Sequence, residues 1–151
     1  MKWRSIPLAT RVVLACIVLS APGVFAALSA HAAADVLTVV NDSVPEESLS
    51  ADAVQEIFLG RKTRWSDGQK IVPATLKQGQ AHEDFLKGYI RKTPHQFRDY
   101  WRRLVFTGRG SAPDAFDSPE DLVEFVKKTP GAIGYLPASL YQYQLKSLAI
   151  E

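Results

Sequence analysis

Most of what this sequence says about its fold lies in residues 57–65, Ile57-Phe58-Leu59-Gly60-Arg61-Lys62-Thr63-Arg64-Trp65. The apolar residues stop at Gly60, and glycine readily adopts the left-handed backbone that closes a helix. A second run of this kind, Gly131-Ala132-Ile133-Gly134-Tyr135, begins 74 positions after Ile57. Each run predicts a helix end followed by a return to extended chain.

The N-terminus has the layout of a secretory signal peptide. Lys2, Arg4 and Arg11 precede an apolar stretch at 12–30, and Ala30-His31-Ala32 is an A-x-A cleavage site. A retained membrane anchor is the alternative, because the stretch is near spanning length. The small-residue exit favours cleavage, so residues 1–32 are predicted to be a signal peptide and residues 33–151 one mature domain, periplasmic or secreted.

Composition limits the classes of partner. The only cysteine, Cys16, leaves with the signal, so the mature domain cannot form an internal disulfide. All three basic residues of 1–32 leave too, so the mature chain carries fifteen basic residues against sixteen acidic ones. This balance gives no argument for a nucleic-acid partner, and no later segment is apolar and long enough to span a membrane.

Strand and helix patterns alternate along the mature chain. The β-branched run 36–40 predicts a buried strand, and 70–76 predicts a second, placed at an edge or bulge by Pro73. Short strands are also expected at 132–136 and 145–150. Four helices are predicted: one capped by Ser50, one at about 81–91, and two opened by Thr93-Pro94 and Ser118-Pro119. The pattern indicates an α/β domain with a mixed sheet flanked by helices.

Catalytic, metal and cofactor signatures are not found in the sequence. His82 and His95, the histidines left after cleavage, have no metal-ligand spacing and are interpreted as solvated helix-surface residues. Pairs such as Glu83-Asp84 fall in predicted first turns, where the helix dipole favours acids. We therefore expect no enzyme and no cofactor.

Anion binding has a better candidate in the loop between the second strand and second helix. Amide groups at a helix start point outward and favour anions, and Gly79 allows close approach. The tentative site consists of Lys77, Gly79, Gln80, Ala81 and His82. An ordinary strand-to-helix loop is the alternative. Trp65 and Tyr135 are expected to be structural, and Trp101, Phe97 and Phe106 to belong to the core.

Family motifs accompany these patterns. Residues 50–65 resemble the segment L-S-x-x-x-h-x-x-I-F-L-G-x-x-x-x-W of periplasmic phosphate-binding proteins of ABC transporters. Residues 130–135 resemble their P-G-A-I-G-Y run. Tyr100-Trp101 and Phe106-Thr107-Gly108 are similar to the small stand-alone members of this superfamily. The resemblance implies one lobe of a type II periplasmic binding protein.

Two departures qualify what the resemblance implies. Full-length relatives bind the anion with a Ser-Gly-Thr turn, whose counterpart here, counted back from Phe85, is Gly79-Gln80-Ala81, without hydroxyls. The chain also has material for about one lobe of a two-lobed protein. The expected function is weak binding of a small anion such as phosphate, or an interaction or sensing role with a periplasmic or membrane protein. The alternative is a component of an ABC-type phosphate uptake system.

Overall fold

The computed structural model describes residues 36–141 and 145–151. The predicted signal peptide at 1–32 and the start of the mature domain at 33 lie outside these residues. In the described ranges, no helix is long and apolar enough to cross a membrane.

A five-stranded mixed sheet organises the domain, with the order β4-β3-β5-β1-β6. Strand β5 lies at its centre, antiparallel to β1 and parallel to β3. This confirms the predicted α/β class with a mixed sheet. The strands are β1 (Val36–Val40), β3 (Val72–Leu76), β4 (Asp114–Phe116), β5 (Ala132–Pro137) and β6 (Lys146–Ser147); β2 (Ser48–Leu49) and β7 (Ala149–Ile150) form a separate parallel pair.

The helices begin and end where their capping residues predict. Helix α1 (Ala51–Phe58) is capped by the Ser50 hydroxyl, which accepts from the Ala53 amide. At its end the amides of Gly60 and Arg61 donate to the carbonyls of Ile57 and Glu56, with Gly60 at φ +70°. This is a Schellman motif, in which a glycine satisfies the last helical carbonyls. Helix α3 (Pro94–Phe106) opens with a capping box of Thr93 and Gln96, and α4 (Pro119–Lys128) is capped by Ser118.

The predicted helix at 81–91 is two elements. Helix α2 (Gln80–Phe85) runs directly into a π-helical turn at Leu86–Ile90, and Arg91 closes it with a left-handed backbone at φ 56°. The spacing of apolar residues does not distinguish an α-helix from a π-helical turn. It indicates which side chains share a face, and not which backbone groups are hydrogen-bonded.

Pro73 does not place β3 at an edge, contrary to expectation. Strand β3 lies between β4 and β5. The Val72 amide donates to the Gly131 carbonyl on the β5 side, and pairing with β4 begins only at Ala74. Proline therefore costs no ladder hydrogen bond at this position, since its missing donor faces the side where β4 has not begun.

The two glycine-terminated runs meet in the core. Trp65 is 3% exposed, and its Nε1 donates to the Gly131 carbonyl at 3.0 Å. The same carbonyl accepts from Val72, so one peptide group joins the end of the first run to the start of β3 and β5. The predicted burial of Trp65 and Tyr135 is confirmed.

One face of α3 departs from the predicted core. Phe97 and Trp101 are buried as expected, but Val105 is 51% and Phe106 91% exposed. Both lie in the last turn of the helix, beyond Tyr100 and Trp101, whose side chains donate to the carbonyls of Leu59 and Phe58 at the end of α1. Their exposure leaves an apolar surface beside the candidate site.

Candidate anion-binding site

A buried hydrogen-bond network ties the end of β3 to the start of α2. The Tyr135 hydroxyl, on β5, accepts from the Leu76 amide at 3.0 Å and lies 2.8 Å from the Thr75 hydroxyl. It also lies 2.6 Å from Nδ1 of His82. The loop that turns from β3 into α2 is thus held at both ends by a single phenol.

Aromatic packing fixes that phenol in place. The Tyr135 ring stacks on Phe85 with centroids 3.8 Å apart and an interplanar angle of 8°. The His82 ring lies within 18° of the plane of the Tyr135 ring, with centroids 6.4 Å apart, because the hydroxyl–imidazole contact joins the two rings edge to edge. All three side chains are buried, so the polar contacts of Tyr135 lie inside the packed core.

His82 is not the surface histidine that the sequence suggested. It is 5% exposed, and burial lowers the pKa of its imidazole, with the nearby Arg98 guanidinium lowering it further. A neutral ring satisfies the contact with Tyr135 in either tautomer. Burial likewise raises the pKa of Tyr135 to about 12, so the hydroxyl keeps its proton.

The predicted anion turn is exposed. Its position at a helix start predicts four free backbone amides, those of Gly79, Gln80, Ala81 and His82. The His82 amide donates to the Gly79 carbonyl at 3.1 Å. The amides of Gly79, Gln80 and Ala81 have no partner among the described residues. Lys77 forms an exposed ion pair with Asp117 at 2.7 Å. The structure thus brings the five residues into one loop, with three amides rather than four open to a ligand.

Gly79 has a conformation that glycine alone adopts readily. Its φ of 102° and ψ of 166° lie in a region that is essentially closed to other residues. A Cβ there would meet no atom within 4 Å, so the restriction comes from the backbone and not from crowding. A serine at this position of a restored Ser-Gly-Thr turn would therefore be strained.

A groove opens beside the turn, between α3 and the ends of β3 and β4. Its volume is about 660 Å³, and its lining includes Thr75, Lys77 and His82 together with one face of α3. The α3 residues were not predicted as site residues, although Pro94, Phe97, Arg98, Trp101, Arg102 and Val105 recur at helical spacing. The basic run of the first motif lies elsewhere: Arg64 donates to the Gly68 carbonyl on the surface.

Metal binding finds no support in the described ranges, where no group of three or more potential ligands gathers. The site offers amides, guanidinium groups and apolar rings. Amides and guanidinium groups are hydrogen-bond donors that suit an anionic group.

The fold is similar to part of several solved substrate-binding proteins. Solved structures similar to it include a phosphate ABC transporter substrate-binding protein from Clostridium perfringens with bound phosphate, at TM-score 0.61 and 15% identity over 76% of this chain and 44% of that one. An ABC-type phosphate transport receptor from Vibrio cholerae matches at TM-score 0.52 and 17% identity, over 76% of this chain and 45% of that one.

PstS from Borrelia burgdorferi matches at TM-score 0.56 and 17% identity, over 77% of this chain and 47% of that one. The chain thus spans less than half the length of each of these proteins. At such identities the likeness establishes the fold, which is that of part of a phosphate-transport substrate-binding protein. No protein-family model matches the chain, and no curated protein matches it in sequence.

Proposed function

We propose that this protein is a periplasmic or secreted single-lobe solute-binding-like domain that binds a small anion such as phosphate weakly. The observation that carries the proposal is the exposed turn at the end of β3, where the Gly79, Gln80 and Ala81 amides have no partner in residues 36–141 and 145–151. Amides of this kind bind anions through hydrogen bonds and local positive charge. The fold shared with phosphate-transport proteins supports the same reading.

Weak rather than tight binding follows from the missing hydroxyls. Each hydrogen bond to a charged group contributes about 1.5–3 kcal/mol, and the turn lacks both that the family pattern implies. The exposed turn also leaves a ligand in contact with water. A periplasmic or membrane protein partner covering this face would complete the burial. We assign no catalytic, metal or cofactor role.

Calorimetry with inorganic phosphate tests the proposal on the purified protein. We expect saturable binding in the millimolar to high-micromolar range that weakens as salt rises, since charge carries much of the affinity. Low-micromolar or tighter binding would instead indicate an uptake component. The absence of any heat at millimolar phosphate would leave an interaction module without an anionic ligand.

A gain-of-function variant locates the site. Because Gly79 must remain glycine, the double substitution Gln78→Ser and Gln80→Thr builds Ser-Gly-Thr around the resident glycine. It should tighten phosphate binding, since a hydroxyl on either side adds a donor. A matched control, Gln78→Ala with Gln80→Ala, changes the same two positions without adding hydroxyls and should give no gain in affinity. A correctly folded Ser-Gly-Thr variant with no gain would remove the turn from consideration.

Export is tested separately by N-terminal sequencing of the protein recovered from the extracytoplasmic fraction. We expect the mature chain to begin at or near Ala33, because the A-x-A site ends at residue 32. A chain that retains Met1 or carries lipid on Cys16 would contradict the proposed localisation signal.

A further inference from the structure

The groove beside the turn, here called the α3 groove, has a rigid apolar floor. Phe97 and Trp101 form it, at 6% and 5% exposure, with their rings packed edge to face 6.5 Å apart. Trp101 Nε1 donates to the Phe58 carbonyl at 3.2 Å, which fixes the indole. A Cβ at Gly60 would lie 2.7 Å from the same indole, so the neighbouring chain is packed closely against it. The floor is therefore preformed.

The rim of the α3 groove is unusually apolar for a solvent-exposed helix end. Val105 and Phe106 are adjacent there, at 51% and 91% exposure, and Ala112 and Ala115 lie across from them. A single exposed apolar residue is ordinary. Two at the edge of a cavity with an aromatic floor offer an apolar molecule a continuous surface.

The charged side chains that line the α3 groove are all basic. Lys77, Arg98 and Arg102 all line the groove, and the lining contains no aspartate or glutamate. Lys77 is paired with Asp117 and Arg102 with Asp99. Arg98 makes no ion pair with any residue that the structure describes, and it lowers the pKa of the buried His82 beside it. The groove thus has an uncompensated guanidinium beside apolar walls.

We propose that the α3 groove binds an organic anion with an apolar body, whose acidic group pairs with Arg98 while its chain or ring lies on Trp101 and Phe106. The volume of about 660 Å³ is that of a small-molecule site. A guanidinium pairs a carboxylate or sulfonate in two-point fashion. This inference refines the proposed anion-binding function by naming a ligand class.

Inorganic phosphate alone makes poor use of this groove. It can pair with the basic side chains of the lining, but it has no apolar surface to cover the indole and phenyl rings. An amphiphilic monoanion can contact the apolar walls and pair with Arg98 at the same time. The groove, which lies beside the anion turn, therefore favours organic anions over phosphate.

Titration with a series of linear carboxylates tests the proposal. Calorimetry and NMR shifts are measured for butanoate, hexanoate and octanoate, with 1-octanol as the neutral control and inorganic phosphate as the inorganic one. We expect one saturable site, an affinity that rises up to about fourfold with each added methylene, and weaker binding of octanol than of octanoate.

Variants of α3 show where the acidic group of the ligand binds. Arg98→Gln should weaken octanoate binding about fivefold, the effect of an exposed charge pair, and leave octanol unchanged. Arg103→Gln is the matched control, because Arg103 lies on the same helix, is exposed and does not line the groove. Equal losses in the two variants would mean non-specific attraction and would overturn the proposal.

A bulky substitution shows where the alkyl chain of the ligand lies. Ala115→Phe places a ring in the groove from β4 and should abolish octanoate and octanol binding. Asp114→Phe is its control, since adjacent strand residues face opposite sides. Unchanged binding in Ala115→Phe would also overturn the proposal. A dimer that dissociates when Phe106→Ala is introduced would do the same, because a second copy of the chain would then occupy the groove.

The outcomes separate this inference from the proposed function. Phosphate binding without octanoate binding refutes the groove ligand and leaves the anion turn in place. Octanoate binding sensitive to Arg98 and Ala115, without any phosphate binding, supports the groove and refutes the phosphate-like ligand. Binding of neither refutes both.

Discussion

The Tyr135 hydroxyl lies 2.6 Å from Nδ1 of His82, and this contact joins the central strand β5 to the first turn of α2. Both residues are buried, at 0% and 5% exposure. The loop that carries the candidate anion turn therefore depends on a polar contact made inside the core. Four predictions follow from this network and from the packing around it, each with its own measurement.

Removing the phenolic oxygen should destabilise the fold. Tyr135→Phe leaves the Leu76 amide without its partner in a buried site and leaves Nδ1 of His82 only its 3.5 Å contact with the Thr75 hydroxyl. A buried donor or acceptor that loses its partner costs about 1–3 kcal/mol. Denaturant unfolding measures the change. Tyr141→Phe is the control, because Tyr141 is 46% exposed and water replaces its bonds; equal effects of the two would contradict the role given to Tyr135.

Stability should decline in mild acid because of His82. Folding lowers the pKa of this residue from its ordinary value of 6.5, so below that pH the unfolded chain binds the proton more readily. The contribution is fully present above pH 6.5 and is lost as pH falls toward the lower pKa of the folded state. The free energy of unfolding should therefore decrease as the pH is lowered from 6.5 toward the pKa of His82 in the folded state.

The histidine responsible is identified by substitution. His82→Gln should flatten the acid limb of the pH profile, whereas His95→Gln, at an exposed position paired with Asp99, should keep it. A profile that is unchanged by the loss of His82 would show that other groups govern the acid limb.

Trp65→Ala should cost about 3–5 kcal/mol, because the indole is 3% exposed and its removal leaves a cavity. Trp65→Phe keeps most of the buried surface and loses the hydrogen bond to Gly131, at a cost of about 1 kcal/mol. Thermal and denaturant unfolding distinguish the two. If the alanine variant unfolds like the parent, the indole does not belong to the core.

Gly131→Ala should be far more destabilising than Gly68→Ala. Both glycines have positive φ, +74° and +87°, and alanine in a left-handed conformation costs about 1–2 kcal/mol. At Gly131 the added Cβ would also lie 2.3 Å from the Lys70 carbonyl, whereas at Gly68 nothing lies within 4 Å. The difference in unfolding free energy between the two variants measures the overlap, and similar values would mean the backbone moves aside.

Much of the candidate site could not be predicted from local patterns. The turn at 77–81 was found because a strand pattern precedes it and a helix pattern follows. His82 was misassigned to the surface, because helical spacing does not say which neighbours will cover a side chain. Its partner Tyr135 is 53 residues away and reaches it only through the sheet. The groove residues of α3 share one helical face, but the cavity beside them exists only because β4 pairs with β3.

The sequence by itself determined the features that depend on neighbours along the chain. Ser50, Thr93 and Ser118 start helices, Gly60 ends one, and the β-branched run at 36–40 forms a strand, since capping and backbone freedom are local properties. Only the tertiary structure decided that Pro73 is tolerated inside the sheet, that Phe106 is exposed, and that His82 is buried against Tyr135. These outcomes depend on strand order and packing between distant segments, which local spacing does not encode.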